Sequence, residues 1–187
     1  MTSPEGSALA TVGDVLSFWR KAGPDRWYKK DKSFDADIRS RFLATYRAAA
    51  AGSLLAWADT AEGALALVIV LDQFPRNLFR GSAEAYATDP LARRIANAAI
   101  ARGFDKAVAG DERQFFYMPL MHSESLADQE RCVALIRAAK LDGNISYAEE
   151  HADIIRRFGR FPHRNALLGR PTTAAEQAFL DAGGFAG

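Results

Sequence analysis

The chain has 187 residues, with 24 Lys and Arg against 23 Asp and Glu, 49% hydrophobic and 25% charged residues, and a formal net charge of +1. That balance excludes a globally basic nucleic-acid binder and an acidic disordered chain. At about 100–200 residues per domain, the length gives a single domain over residues 1–187, with 1–11 loosely packed or disordered.

Alanine occurs 36 times, against 21 Val, Ile and Thr together, so intrinsic preference runs to helix. Asp14 caps a first helix carrying Val15, Leu16, Phe18 and Trp19, which ends near Gly23-Pro24. A second runs from Phe34 to Ala51, with Ile38, Phe42 and Tyr46 four residues apart and Gly52 as its stop. A third covers about Thr60 to Phe74. Its apolar run from Ala64 to Leu71 leaves no polar face, which marks a central buried helix, with a strand over residues 65–71 as the rival reading. Pro75 ends this helix.

Ser82 then caps one turn through Tyr86. Asp89-Pro90 is read as an N-cap and a first-position proline opening a helix with Leu91, Ile95 and Ile100 that stops at Gly103. Asp111 starts a short helix with Phe115, Phe116 and Tyr117, broken at Pro119. Ser125 caps the next, with Leu126, Val133, Leu135 and Ile136. Asn144 opens another that reaches Phe158, with Gly159 as its C-cap, and Thr173-Ala-Ala-Glu176 is a capping box for a last helix to Ala182. Seven to nine helices with short connections describe an all-α domain of antiparallel helical hairpins.

Cys132 is the only cysteine, on an apolar stripe, and reads as a buried spectator in a reducing, cytoplasmic setting. Residues 1–14 show no basic region leading into an apolar stretch, so no signal peptide is expected. The longest apolar run is far short of the ~20 residues of a membrane span, so no membrane partner is expected. No phosphate-binding glycine loop, nucleophile elbow or metal-ligand spacing occurs, which gives no cofactor and no metal.

Three segments carry candidate chemistry. RRFGRFPHRNALLGR, residues 156–170, holds five Arg and His163 with no acid, and residues 156–187 carry a local charge of +3. Such a density of cations is answered either by carboxylates from inside, with Asp72, Glu124 and Asp153 as candidates, or by an anionic ligand that guanidinium forks grip bidentately. LDQFPRNLFRGS, residues 71–82, places Asp72, Arg76, Asn77 and Arg80 among apolar residues. Asp72, directly after the apolar run, is expensive to bury unless it anchors an Arg, orients a His or acts as a base. MHSESLADQE, residues 121–130, supplies His122 and Glu124, either as a base with its orienting carboxylate or as part of a helix cap in which Ser123 or Ser125 partners Asp128. Residues 74–81 and 161–169 also echo each other, each setting Phe-Pro before Arg-Asn and closing on Gly. Two helix-ending turns with shared chemistry account for the echo as well as a repeated Arg-Asn site does.

LDQFPRNLFRGS, HSESLADQ and RFGRFPHRNALLGR, with DVLSFW near the start and FDADIRSRF after it, resemble a bacterial family catalogued as domain of unknown function 924. The resemblance spans roughly residues 12–185. It implies an all-α superhelix like tetratricopeptide-repeat hairpins, although the 34-residue repeat consensus is missing. It implies no activity and therefore assigns no catalytic residue.

Three expectations follow, all with the 71–82 and 156–170 loops meeting near His122. In the first, Arg76, Asn77, Arg80, Arg160, Arg164, Asn165 and Arg170 bind an anionic small molecule, and His122, Glu124, Asp72 and His163 polarise it or move protons. In the second, the helical hairpins form an interaction module for an acidic or C-terminal peptide. In the third, the Arg-rich loops are internal clamps only. Nucleic acid is not an expected partner.

Overall fold

A computed structural model describes residues 9–108 and 110–187. The expectation of a loose N-terminus lies outside the described residues as far as residue 8. Beyond it, Ala10 donates its N–H to Thr45 Oγ1 (2.9 Å) and Thr11 caps the first helix. The described residues form helices and turns without a strand, so the strand reading of 65–71 falls away. Eight of the helices are eight residues or longer. The chain groups into two compact units, one of residues up to Arg80 with Glu84–Phe116, the other of Gly81–Ala83 with Tyr117–Gly187.

The first unit opens with α1 (Val12–Ala22), α2 (Pro24–Trp27) and α3 (Lys32–Ala50). Thr11, not Asp14, is the N-cap of α1. Asp14 is the third helical residue and closes a capping box, accepting the Thr11 N–H at 2.9 Å. Asp31 caps α3 by accepting from the Ser33 and Phe34 N–H groups. After a 3₁₀ turn (Leu55–Asp59), Thr60 caps α4 (Ala61–Val68). Gly63 is required there, because a Cβ would lie 2.1 Å from the Trp57 carbonyl oxygen.

Pro75 does not end the third helix. The α-helical path of α4 widens into a π turn over Ile69–Gln73, where the Phe74 N–H reaches back five residues to the Ile69 carbonyl, and continues as α5 (Phe74–Leu78). Proline has no N–H for the carbonyl four residues earlier and its ring crowds that carbonyl. The wider turn makes room, and the stranded Leu71 carbonyl accepts the Thr88 hydroxyl at 2.6 Å. Thr88 therefore occupies the N-cap position of α6 (Asp89–Ala101) with its side chain engaged elsewhere. Asp89 and Pro90 are the first two helical residues, which corrects the reading of Asp89 as cap. The buried side of α6 is Ala92, Ile95, Ala96 and Ala99, while Leu91 and Ile100 are half-buried. α7 (Phe104–Ala107) follows.

The core of this unit is aromatic. Trp19 packs against Trp27, Phe34, Phe74 and Phe115, and the Trp27 indole N–H donates to the Trp19 carbonyl at 2.8 Å. Ala64–Leu71 is buried on every side, as its composition requires.

α8 (Gln114–Met121) runs from the first unit into the second and contains Pro119 without breaking, ending two residues later. The second unit continues with α9 (Leu126–Ala138), α10 (Asp142–Phe158), a 3₁₀ turn (Pro162–Arg164) and α11 (Ala174–Asp181). α9 and α10 pack along each other as a hairpin. The buried stripe of α9 is Gln129, Cys132 and Ile136 rather than Val133 and Leu135, which are half-buried. Gly159 ends α10 in the left-handed conformation (φ 69°), and the Thr173–Glu176 capping box opens α11. Ile154, Ile155 and Phe161 form one buried cluster of this unit, covered by Leu126, Phe158, Phe179 and Phe185.

Candidate functional site

In the first unit the candidate residues sit on the π turn and α5. Asp72 is fully buried. Its Oδ2 accepts from Gln73 Nε2 at 2.6 Å, and Arg76 Nη1 stands 3.6 Å from Oδ1. Arg76 forks onto Asp89 with two bonds of 3.0 and 3.1 Å, and also donates to the Asp72 carbonyl at 2.5 Å. Burial alone would lower the Arg76 pKa; the Asp72 and Asp89 charges outweigh it and raise the value. One turn on, Asp35 from the first turn of α3 accepts both Arg80 (2.6 and 3.0 Å) and Asn77 Nδ2 (2.8 Å).

In the second unit two further guanidinium forks face carboxylates. Arg160 meets Glu176 at 2.6 and 2.9 Å and donates to the Pro171 carbonyl. Glu176 is 2% exposed and also accepts from the Thr173 N–H and from Asn165 Nδ2. The Arg160 bond, reinforced by Thr173, holds the Glu176 carboxyl down at about 2. Arg170 meets Glu124 at 2.7 and 3.0 Å and also donates to the Phe161 carbonyl and to Asn165 Oδ1. Glu124 accepts the Phe161 N–H at 2.8 Å. Burial pushes the Glu124 pKa up, but Arg170 and the Phe161 N–H more than offset this and leave it lowered.

These bonds tie the 160–170 loop to the start of α11 and to the segment before α9. Each is a charge-assisted, mostly bidentate contact, the strong class of hydrogen bond. Asn77 and Asn165 play parallel parts: each is buried and shares a carboxylate with an arginine. The backbones differ, since Asn77 lies in α5 and Asn165 follows a 3₁₀ turn. The echoed motif thus keeps its polar chemistry on two unlike scaffolds.

Arg164 is 7% exposed, with its guanidinium 4.5 Å from the centre of the Phe161 ring. His163 lies beside Phe161 (5.7 Å) and Phe185 (5.2 Å). His151 packs on the same two rings and donates from Nδ1 to the Tyr147 carbonyl at 2.8 Å. His122 follows α8, half-buried, with its N–H on the Met118 carbonyl. Next to it the Ser123 hydroxyl donates to Asp128 (2.7 Å), and Gln129 Nε2 bonds the Met121 and Ser123 carbonyls, so this segment is built as a helix entry. Burial pushes the Cys132 thiol up to about 12, so it is protonated at neutral pH.

Of the partners anticipated for the 156–170 arginines, Glu124 meets Arg170 and Asp153 meets Arg156, whereas Asp72 stands against Arg76 of its own segment. Asp35, Asp89 and Glu176 were not anticipated, because each stands in the first turn of a helix, where the helix dipole already favours an acid. The 71–80 candidates lie in the first unit and the 121–170 candidates in the second. Among the described residues no group of three or more His, Cys, Asp or Glu is placed to hold a metal, and no helix is long and apolar enough to cross a membrane.

A family described as "Bacterial protein of unknown function (DUF924)" matches residues 15–184. The solved structure titled "Structure of Protein of Unknown Function ATU0120 from Agrobacterium tumefaciens" is similar at 50% identity and a TM-score of 0.88, covering 91% of this chain and 97% of that one. No similar protein was found among the curated proteins.

Proposed function

The chain belongs to the bacterial family of unknown function 924, a membership that carries no activity, and we propose that it is a helical-hairpin interaction module whose Arg-rich motifs are internal clamps. The observation that carries this reading is the pairing of Arg76, Arg80, Arg160 and Arg170 with Asp89, Asp35, Glu176 and Glu124 through both arms of each guanidinium. A pocket for a free anion needs such forks open to the ligand, and binding one here means displacing a carboxylate already in place. The clamps fix loops between hairpins, and stacked hairpins of the tetratricopeptide kind commonly offer a concave face to polypeptides. The partner class is an acidic peptide.

A second reading, an anionic small molecule held at Arg164, is favoured by one feature: a nearly buried guanidinium stacked on Phe161, next in sequence to His163. A thermal-shift screen against phosphorylated and carboxylated metabolites separates the two. The module reading expects no ligand to raise the melting temperature of the wild-type protein. A stabilising ligand whose effect disappears in Arg164→Ala establishes the second reading instead.

A further inference from the structure

A second cationic stretch lies outside the motifs above, and most of its charges face no carboxylate among the described residues. Residues 20–47 hold nine Lys and Arg against four Asp and Glu, a local +5, larger than the +3 of residues 156–187. Four of the chain's six lysines, Lys21, Lys29, Lys30 and Lys32, fall within twelve residues of one another, in a sequence where arginine outnumbers lysine 18 to 6. They lie at the end of α1, after α2 and at the start of α3, and all four are exposed.

α3 carries further cations. At 100° per residue, Lys32, Arg39 and Arg47 fall within about 80° of each other around the helix and span roughly 22 Å along it. Ala36 and Leu43 lie between them on the same side. None of these six cations has a carboxylate within 4.0 Å among the described residues; Arg39 instead donates to the Leu78 carbonyl. The nearby acids are mostly engaged: Asp31 with Arg26, Asp35 with Arg80 and Asn77. Asp25 and Asp37 remain as exposed carboxylates in the same stretch. Tyr28, 56% exposed, adds an aromatic ring beside the lysines, its hydroxyl fixed by donation to Gln114 Oε1 at 2.5 Å.

We propose that the surface formed by Lys21, Lys29, Lys30, Lys32 and the Arg39–Arg47 side of α3 docks an acidic polypeptide segment. This rests on the interaction-module reading and places its binding face. The chemistry favours a polypeptide over a phosphate backbone. Ala36 and Leu43 between the cations give apolar side chains something to pack on, and the Tyr28 ring is the residue type that anchors protein interfaces. Asp25 and Asp37 would repel a uniformly charged phosphodiester but would set register against a partner of mixed sequence.

The test uses the full-length protein and a fluorescein-labelled peptide of about 16 residues repeating Glu-Glu-Leu-Ala, read by anisotropy at about 25 and about 300 mM sodium chloride. The wild type binds, more weakly at high salt. Lys29→Glu/Lys30→Glu/Lys32→Glu loses at least about tenfold in affinity, while Lys106→Glu/Lys140→Glu, which reverses the other two lysines, loses less than about twofold. Circular dichroism confirms that both variants keep wild-type helicity.

Equal losses in the two variants overturn the proposal, as does tighter binding of a single-stranded oligonucleotide or of phosphatidylserine vesicles at the same salt. Peptide binding that survives in the Lys29–Lys32 variant also overturns it, yet leaves the module reading standing. A wild type that binds no peptide removes both.

Discussion

Two cationic regions of this chain are handled in opposite ways. In the 156–170 stretch, arginines are fixed: Arg160 and Arg170 each face a carboxylate of the same compact unit at 2.6–3.0 Å. In the 21–47 stretch, the four lysines with Arg39 and Arg47 are exposed and have no carboxylate within 4.0 Å among the described residues. The choice of residue matches the treatment. A guanidinium fork preorganises a bidentate bond and suits a clamp, whereas an ammonium on a flexible stem keeps its hydration and suits long-range attraction. A dense charge motif is therefore a poor guide to a binding site until its counter-charges are located.

This contrast makes predictions that differ in size. Replacing Asp72 by Leu removes the buried acceptor of Gln73 and the charge 3.6 Å from Arg76, which keeps its bonds to Asp89, and should cost about 3 kcal/mol in urea unfolding; a loss under about 1 kcal/mol would remove Asp72 as an anchor. Glu176→Gln keeps a capping-box residue but removes the charge facing Arg160, and should cost about 2 kcal/mol. Its pH signature follows from the carboxyl held at about 2 against an ordinary 4.5. A lowered carboxyl contributes its full stabilisation above its unfolded value and loses it as the pH falls through the folded one. Wild-type stability should thus decline from about pH 4.5 towards pH 2, and Glu176→Gln should decline less over that window, as read by urea midpoints.

Smaller still, Thr88→Val leaves the Leu71 carbonyl without the donor that Pro75 cannot supply, for about 1–2 kcal/mol. At the far end, Lys29→Glu/Lys30→Glu/Lys32→Glu should change stability by no more than about 0.5 kcal/mol while altering peptide binding. A large loss of stability there would place the lysines in the same structural class as the arginines.

Much of the fold was readable from sequence, because it rests on local chemistry. The Thr173–Glu176 capping box, the Gly159 stop and the all-round apolar run of α4 each appear where the residues put them. The prolines misled for one physical reason. Proline's cost inside a helix is a missing donor and a crowded carbonyl, and at Pro75 both are met by a π turn and by Thr88, thirteen residues on and invisible to a local reading. The site was half legible. Asp72, Glu124 and Asp153 stood out as possible partners, but Asp35, Asp89 and Glu176 were hidden by their place in first turns, where an acid already has a reason to be. Only tertiary contact shows that these three meet arginines.

The central claim, that the Arg-rich motif is answered from inside, is tested most directly by a double-mutant cycle on Arg160→Ala and Glu176→Gln, with stabilities from urea unfolding. Clamping predicts a coupling energy of at least about 1 kcal/mol, the double variant losing clearly less than the two single losses together. Additive losses, with coupling near zero, would contradict it and return Arg160 to the pool of cations waiting for an external anion.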